Sequence, residues 1–209
     1  MKKDIATFQF ITQNHPEYSH VKQARLVCEA GGKWIQYRNK TEDKELKLEE
    51  ARQIRDITRS FGATMIVNDD VNLAKMVQAD GVHLGQEDMS VQRARMMLGK
   101  KVIVGKTCNT LNQINSINLS HVDYIGLGPF RATKTKNNLS PILGIEGFEQ
   151  ILNQRLNAIP VVGIGGVLLK DVASLMATGL DGIAVSGAVL NNNLDHTVKG
   201  FLDQSKLKL

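Results

Sequence analysis

The amino-acid sequence predicts an α/β protein in which eight parallel strands and eight helices form a (β/α)8 barrel, the TIM-barrel architecture. Two observations support this prediction. Short apolar, β-branched segments recur along the chain, and longer segments with helical periodicity separate them. The chain has 209 residues, a length at which one domain can form a single hydrophobic core. We therefore expect residues 1–209 to form one barrel domain.

Strand and helix candidates alternate along the whole chain. The predicted strands are 7–12, 34–38, 64–67, 81–84, 102–104, 124–127, 161–164 and 182–185. The predicted helices are 21–30, 48–61, 71–79, 91–98, 111–118, 147–156, 170–177 and a last one near 195–205. A doubly wound open sheet is the alternative, but it usually has fewer strands, and no strand here leads into a G-x-G-x-x-G turn. In a barrel, the functional side chains are expected where the strands end.

The composition excludes several classes of protein. Hydrophobic residues make up 42% of the chain and charged residues 22%, which is typical of a globular domain and not of a disordered one. The apolar segments are too short to cross a membrane, and the N-terminal residues lack the apolar core of a secretory signal. Cys28 and Cys108 form no C-x-x-C motif. We expect a cytoplasmic protein without disulfides.

The charge of the chain indicates the kind of partner. Its formal net charge of +5 favours anionic ligands. The basic residues are dispersed and do not interleave with aromatic side chains, which argues against nucleic-acid binding. We therefore expect small phosphorylated molecules as partners, with neither nucleic acid nor membrane. The sequence leaves open whether the chain forms a homo-oligomer.

The second predicted strand ends in alternating polar side chains. In an extended segment Gln36, Arg38 and Lys40 point the same way, because side chains repeat every two residues. The planar guanidinium of an arginine matches phosphate oxygens, so this pattern indicates a phosphate or pyrophosphate clamp. The alternative is that Gln36 and Arg38 fill a layer of the barrel and pair with carboxylates from other strands.

Two acidic residues follow the neighbouring third and fourth strands. Asp69 and Asp88 are distant in sequence but are expected close together at the barrel rim. Carboxylates without a Cys or His cluster suit Mg²⁺, which keeps several waters and is usually completed by substrate phosphates. The alternative is that Asp70 or Asp88 caps a helix, which accounts for one aspartate but not for the pair.

The fourth and fifth strands carry two further features. His83 lies inside a strand, and we interpret it as a packed or hydrogen-bonded core histidine rather than a catalyst. Residues 102–107 resemble a P-loop, but the first glycine is misplaced by one residue and the segment has the composition of a strand. Nucleotide binding is therefore not predicted. Thr107 is expected at the rim as a polar ligand, with Cys108 beside it as a bystander.

The last three strands are followed by segments that suit an anionic ligand. Residues 126–138 form a long polar and basic loop, which we interpret as a lid over an anionic leaving group rather than a solvated surface loop. Glycines follow the seventh and eighth strands, at Gly165, Gly166 and Gly187. Glycine lets backbone N–H groups approach an anion, and barrel enzymes commonly bind phosphate after these two strands.

With these residues placed, the chain resembles the thiamine-phosphate synthase family. The matching segments are IQYRNK, VNDD, ADGVHLGQEDM, GLGPFRATKTK and PVVGIGG, in the family's order along nearly the whole chain. The resemblance implies a transferase of thiamine biosynthesis. It would condense hydroxymethylpyrimidine pyrophosphate with thiazole phosphate to give thiamine phosphate and pyrophosphate. The implied mechanism is dissociative: pyrophosphate leaves, a pyrimidine-stabilised carbocation forms, and the thiazole nitrogen attacks it.

The resemblance also implies roles for individual residues. The Mg²⁺ ligands are Asp69 and Asp88. The catalytic cations are Arg38, Lys40 and Lys136. The substrate-binding positions are Gln36, Arg38, Lys40, Asn68, Thr107, Thr133, Thr135, Lys136, Gly165, Val185 and Ser186.

The chain departs from the family pattern at the lid and at the last strand. Arg131 and Ala132 replace an aromatic residue and a proline, which predicts a less rigid and more charged lid. Ser186 is shifted by one position from the family serine, so backbone N–H groups are an alternative ligand there. Other functions left open are a thiazole tautomerase, a non-catalytic thiazole phosphate-binding protein, and a sugar-phosphate isomerase or epimerase, which would need an acid-base pair at the barrel centre.

Overall fold

The computed structural model describes residues 5–132 and 141–206 and shows a closed barrel of eight parallel strands. The strands are β1 Phe8–Ile11, β2 Trp34–Tyr37, β3 Thr64–Asn68, β4 Gly81–Leu84, β5 Ile103–Cys108, β6 Tyr124–Leu127, β7 Val161–Ile164 and β8 Gly182–Val185. They pair in chain order, and β8 closes the barrel against β1. The predicted (β/α)8 barrel is therefore confirmed.

A helix follows every strand. The helices are α1 His20–Glu29, α2 Lys44–Ser60, α3 Val71–Met76, α4 Val91–Leu98, α5 Leu111–Asn115, α6 Gly144–Gln154, α7 Val172–Ala177 and α8 Leu194–Ser205, and a 3₁₀ turn at Leu169–Asp171 precedes α7. Five of them begin after a side chain that accepts a hydrogen bond from the first helical turn, as N-caps do. These caps are Ser19, Asp43, Asp70, Ser90 and Thr110.

Strand β5 is longer than the sequence predicts. It continues through Gly105, Lys106 and Thr107, and Gly105 pairs with Tyr124 of β6. Glycine and lysine give a weak strand signal on their own. Here two neighbouring strands supply backbone partners, and these decide the conformation. The P-loop-like segment is thus part of a barrel strand, as its composition indicated.

Strand residues alternate between two hydrophobic cores. The larger core lies between the strands and the helices and contains most of the buried aliphatic side chains. The smaller core fills the barrel interior with Ile11, Trp34, Ile66, Ile103, Tyr124, Val162 and Ala184. Four buried polar side chains have the same inward orientation by strand alternation. They are Gln9, Gln36, His83 and Thr107, and they form the polar part of the interior.

Three aspartates tie neighbouring strands together at the N-terminal end of the barrel. Asp80, Asp123 and Asp181 immediately precede β4, β6 and β8, and each accepts a hydrogen bond from a backbone N–H near the start of the preceding strand, at 2.8, 2.8 and 2.9 Å. Arg55 binds Asp80 through two hydrogen bonds, at 2.6 and 2.9 Å, and Arg95 donates to Asp123 at 2.6 Å. We call these contacts the aspartate clasps.

Within the described ranges, no helix is long and apolar enough to cross a membrane.

Cys28 and Cys108 are free and buried. Burial raises the pKa of the Cys28 thiol to about 11 and that of Cys108 to about 12. Both therefore stay protonated near neutral pH and are poor nucleophiles, which fits the interpretation of Cys108 as a bystander.

Candidate active site

The end of β2 brings one amide and two cations to the rim at which the carboxyl ends of the strands meet. Gln36 is the buried third residue of β2, and Arg38 and Lys40 follow the strand. The backbone N–H of Arg38 donates to Oγ1 of Thr12 at 3.0 Å, which fixes the start of this loop against β1. The pKa of Arg38 is lowered by burial, although the nearby carboxylate of Asp69 opposes that shift.

Asp69 lies directly after β3 in an unusual backbone conformation. Its φ angle is 65°, in the left-handed region that few residues other than glycine adopt. The conformation is held in place because the Asp69 N–H donates to the carbonyl oxygen of His83 at 2.8 Å. Asn68, the half-buried last residue of β3, precedes it. Asp70 caps α3 by accepting from the N–H of Leu73 at 2.8 Å, so the capping alternative holds for Asp70.

The carboxyl groups of Asp69 and Asp88 meet at the rim, and we call them the carboxylate pair. The pKa of Asp69 is raised to about 6, first by burial and then by a hydrogen bond with Asp88 and by the negative charge of Asp88. Two cations act in the opposite direction on that pKa, Lys40 and Arg38. Nζ of Lys40 is 3.7 Å from Oδ2 of Asp69. The two aspartates that were expected close together therefore approach each other at the rim, and Lys40 lies beside them.

The carboxylate pair fits a hard divalent cation. Two carboxyl groups in contact repel each other once both are ionised, and a cation between them removes that repulsion. Among the residues that the structure describes, no group of three or more His, Cys, Asp or Glu side chains could enclose a metal. Mg²⁺ is commonly held by one or two carboxylates together with water and substrate phosphates. A pair of this kind therefore suits Mg²⁺ better than a metal that needs a complete protein cage.

The loop that carries Asp88 is anchored to β5. Oδ2 of Asp88 accepts from the N–H of Gly85 at 2.6 Å, and Nζ of Lys106 donates to the carbonyl oxygen of Gly85 at 2.5 Å. The side-chain amide of Gln86 donates to the carbonyl oxygen of Thr107. Asp88 is not the cap of the following helix α4, because Ser90 is. These bonds fix the loop that carries Asp88 against the end of β5.

A chain of hydrogen bonds crosses the barrel interior and ends on two predicted site residues. Gln36 donates to Gln9 at 3.3 Å, and Gln9 donates to the hydroxyl of Tyr124 at 3.3 Å. The Tyr124 hydroxyl bonds to Nδ1 of His83 at 2.9 Å, and Nε2 of His83 bonds to Oγ1 of Thr107 at 2.9 Å. We call this the interior hydrogen-bond chain. The interpretation of His83 as a hydrogen-bonded core histidine is confirmed.

Two glycines make room for this chain. A Cβ atom at Gly105 would lie 2.4 Å from the Tyr124 ring and 2.5 Å from Nδ1 of His83. A Cβ atom at Gly126 would lie 3.0 Å from Cε1 of His83. Any larger residue at Gly105 would displace one of the two rings. Sequence reasoning did not single out Gln9 or Tyr124, although both lie on inward-facing strand positions, as Gln36 does.

The loops after β7 and β8 form the glycine-rich side of the rim. Gly165 and Gly166 have φ angles of 105° and 69°. A Cβ atom at Gly165 would lie 2.7 Å from Cα of Pro129, so the two loops approach too closely for a side chain. Ser186 follows the buried Val185, and its hydroxyl donates to Oε1 of Gln13 at 3.0 Å. Both predicted ligand positions on β8 therefore lie at the same rim as Gly165.

Arg131 anchors the start of the predicted lid. Its guanidinium donates to the carbonyl oxygen of Gly166 at 3.1 Å and to Oδ1 of Asp171 at 2.9 Å, and it lies 4.7 Å from the centre of the Phe130 ring. Its backbone N–H donates to the carbonyl oxygen of Gly165 at 3.0 Å. The added charge of Arg131 is therefore paired and its side chain binds to the adjacent loop, while the expected loss of rigidity concerns lid residues that lie outside the described residues.

Most of the predicted site residues therefore share one rim. Three predicted lid residues, Thr133, Thr135 and Lys136, lie outside the described residues. The other positions follow or end strands β2, β3, β4, β5, β7 and β8, as barrel geometry requires.

Comparison with known proteins identifies the family. The family model for thiamine monophosphate synthase matches residues 8–189. A thiamine-phosphate synthase of Bacteroides fragilis is 45% identical over 189 residues, which cover 89% of this chain and 93% of that protein. One of Phocaeicola vulgatus is 43% identical over 193 residues, which cover 91% and 93%. The solved structure of thiamine phosphate pyrophosphorylase from Pyrococcus furiosus has a TM-score of 0.85 and 29% identity, covering 96% of this chain and 95% of that one. The chain belongs to the thiamine monophosphate synthase family.

Proposed function

We propose that this transferase joins hydroxymethylpyrimidine pyrophosphate to thiazole phosphate by a dissociative substitution, with Mg²⁺ held by Asp69 and Asp88. The observation that supports this most strongly is the carboxylate pair, since it lies beside Arg38 and Lys40 at one rim. An acidic pair next to two cations suits a metal-bound pyrophosphate, whose negative charge increases as it leaves. Magnesium bound there would neutralise part of that charge and orient the leaving group.

The residues of the chain divide between the two substrates. Gln36, Arg38 and Lys40 would bind the pyrimidine pyrophosphate, with Asn68 positioning it and Thr107 as a polar ligand beside them. The glycine-rich rim with Gly165, Val185 and Ser186 would bind the thiazole phosphate, because glycine backbone N–H groups can approach an anion closely. The lid positions Thr133, Thr135 and Lys136 complete this assignment by the family resemblance alone.

The chemistry requires little from the protein beyond positioning and charge stabilisation. The carbon–oxygen bond to pyrophosphate breaks, and the electron pair leaves with the pyrophosphate. The thiazole ring nitrogen then attacks the resulting pyrimidine-stabilised carbocation. This nitrogen carries no proton, so no general base is needed at the reacting atoms. The cations Arg38, Lys40 and Lys136 would stabilise the negative charge of the leaving group.

The direct test is to incubate the protein with both substrates and Mg²⁺ and to measure thiamine phosphate and pyrophosphate. We expect both products in equal amounts, and loss of both with Asp69→Asn or Asp88→Asn. The matched control is Asp195→Asn, an exposed carboxylate paired with Lys199 on α8, which should keep the activity. Absence of product from the folded wild-type protein would contradict the proposal.

Calorimetry separates the remaining alternatives. A synthase should bind pyrimidine pyrophosphate more tightly with Mg²⁺ than without it. A thiazole tautomerase or a non-catalytic thiazole phosphate-binding protein should show no metal-dependent binding of that substrate.

The buried thiols of Cys28 and Cys108 are compatible with the proposed cytoplasmic location, because reduced cysteines are the rule there.

A further inference from the structure

In each bond of the interior hydrogen-bond chain, one group donates and the other accepts. The hydrogen-bonding capacity of the side chains determines which group donates. An amide nitrogen can only donate, so the Tyr124 hydroxyl accepts from Gln9 and its own proton is directed at Nδ1 of His83. A neutral imidazole that accepts at Nδ1 carries its proton on Nε2. Nε2–H of His83 then donates to Oγ1 of Thr107. The hydroxyl proton of Thr107 is therefore directed at a different acceptor.

The two ends of the chain are coupled. If both glutamine amides turned over, every bond would reverse, and Thr107 would then donate to His83 instead. With Gln36 donating to Gln9, as in the structure, Thr107 keeps its donor for a ligand. Every side chain in the chain from Gln36 to Thr107 is buried. Tyr124 is fully buried, and the other four are each at most 8% exposed: Gln9, Gln36, His83 and Thr107. Water therefore has little access to interrupt the chain.

We propose that Tyr124 and His83 are positioning residues that make the Thr107 hydroxyl a hydrogen-bond donor to the pyrophosphate of the substrate. This inference rests on the proposed function for the identity of the ligand. Pyrophosphate oxygens only accept hydrogen bonds, so a Thr107 hydroxyl committed as donor to His83 would be of no use to them. Thr107 lies beside the loop of Asp88, where the leaving group would be bound.

The surrounding structure supports a dedicated arrangement. Tyr124 is held by the edge-on Trp34 ring, with ring centres 5.0 Å apart, and Gly105 leaves the space that the Tyr124 and His83 rings occupy. A histidine inside an apolar barrel would cost stability if its ring nitrogens had no partners. Here both ring nitrogens are bonded to hydroxyl groups, and those hydroxyls lead to two substrate-binding positions.

The first test is spectroscopic and needs no substrate. Long-range ¹H–¹⁵N spectra of the full-length protein report which ring nitrogen of a histidine is protonated, and the His83 signal is assigned with His83→Asn. We expect a single neutral tautomer with the proton on Nε2 near neutral pH. Tyr124→Phe, which keeps the ring packing, should allow a mixture of the two tautomers. Protonation of wild-type His83 on Nδ1, or an unchanged spectrum in Tyr124→Phe, would overturn the proposal.

The second test is kinetic. Tyr124→Phe should lower kcat/KM for pyrimidine pyrophosphate about tenfold, which corresponds to the loss of one hydrogen bond, and should leave the KM for thiazole phosphate unchanged. In a Thr107→Val background the same substitution should have an effect of at most about twofold, because coupled residues are not additive. Thr107→Ser, which keeps the hydroxyl, should restore most of the activity lost in Thr107→Val.

The controls separate this proposal from simple destabilisation. Thr178→Val removes another buried hydroxyl, which bonds to the carbonyl oxygen of Leu175 far from the rim, and should leave the kinetics unchanged. If Tyr124→Phe does not fold, Gln9→Met breaks the chain one bond further away and should give a smaller loss of the same kind. An equal effect of Tyr124→Phe with and without the Thr107 hydroxyl would refute the coupling. A wild-type protein that makes no thiamine phosphate would refute the proposed function, while the His83 spectrum would still decide the direction of the chain.

Discussion

The carboxyl groups of Asp69 and Asp88 lie close enough to share a hydrogen bond when one of them is protonated, although each follows a different strand of the barrel. Each aspartate is held by backbone contacts of its own: Asp69 through its N–H to the carbonyl oxygen of His83, and Asp88 through the N–H of Gly85. The pair is therefore set by the fold and not by flexible side chains. We therefore expect the stability of the protein to depend on pH and on divalent cations.

We expect rising pH to destabilise the protein through Asp69. The pKa of Asp69 is raised from its ordinary value of 3.8 to about 6, so the folded state binds this proton more tightly than the unfolded chain does. The contribution of Asp69 to stability therefore falls as the pH rises between these two values, and the penalty is complete above about pH 6. Mg²⁺ should remove the penalty. Thermal unfolding at about pH 5 and about pH 8, with and without Mg²⁺, measures both effects.

Asp69→Asn is the matched variant for this measurement. It should be less sensitive to pH in that window and should lose the stabilisation by Mg²⁺. Equal stabilisation by Mg²⁺ in the wild type and in Asp69→Asn would place the metal elsewhere.

Asp88→Ala and Lys136→Ala should each reduce turnover by orders of magnitude while the protein stays folded. One removes a proposed metal ligand, and the other a cation that the family resemblance places over the leaving group. Steady-state rates at saturating substrate, with circular dichroism as the folding check, measure this. The control variants Asp195→Ala and Lys199→Ala each remove one member of an exposed ion pair on α8, and both should keep the turnover of the wild type. A rate near that of the wild type would remove the residue concerned from the mechanism.

Gly165→Ala should raise the KM for thiazole phosphate and lower stability. The new Cβ atom would lie 2.7 Å from Pro129, so the loop after β7 would have to move away from the segment that contains Pro129. Gly179→Ala is the matched control, because Gly179 also has a positive φ, of 92°, but has open space around its Cβ position. Both variants carry the backbone strain, and only Gly165→Ala should change the KM. Equal kinetics in the two variants would show that the close approach at Gly165 does not matter for binding.

Arg131→Ala should weaken thiazole phosphate binding more than it weakens pyrimidine pyrophosphate binding. The Arg131 side chain ties the segment after β6 to Gly166 and to Asp171. Its loss should therefore loosen the loop after β7 and leave the carboxylate pair intact. A double-mutant cycle with Asp171→Asn measures the coupling, through the KM of each substrate. Additive effects would mean that the Arg131–Asp171 pair does not hold the loop.

Arg95→Leu should lower the free energy of unfolding by about 3 kcal/mol without changing the KM of either substrate, because it removes the charged hydrogen bond of 2.6 Å to the half-buried Asp123. The side chains of Arg95 and Asp123 are 10% and 18% exposed. Lys199→Leu breaks the exposed pair with Asp195 and should cost at most about 0.5 kcal/mol. Urea unfolding measures both variants. A similar loss in both would show that burial does not decide the contribution of these pairs.

The sequence predicts the architecture well because barrel strands are apolar on both faces and stand out from the helices. The bounds of β4, β6, β7 and β8 match the predicted ranges. The start of α2 at Lys44 was predicted too late, at 48, because its first turn is highly charged and gives no apolar signal. The end of β5 was predicted too early because Gly105 and Lys106 take strand conformation only through their neighbours.

The positions of site residues could be predicted where the residue directly follows a strand. They were harder to predict where the role of a residue depends on contacts with distant loops or strands. The approach of Asp69 to Asp88 follows from strand adjacency. The anchoring role of Arg131 depends on Asp171 and Gly166, which belong to another loop, and nothing local to residue 131 indicates it. The interior hydrogen-bond chain needs residues from β1, β2, β4, β5 and β6 at the same depth, which only the register of the closed sheet determines.

The aspartate clasps group six of the eight strands into three pairs. Each clasp joins an odd-numbered strand to the even-numbered strand that follows it, for β3 with β4, β5 with β6, and β7 with β8. A break in the polypeptide between two such units, at the highly exposed Leu156 between α6 and β7, leaves all three clasps within intact fragments. The two fragments, one with β1–α6 and the other with β7–α8, should therefore reassociate when they are produced separately.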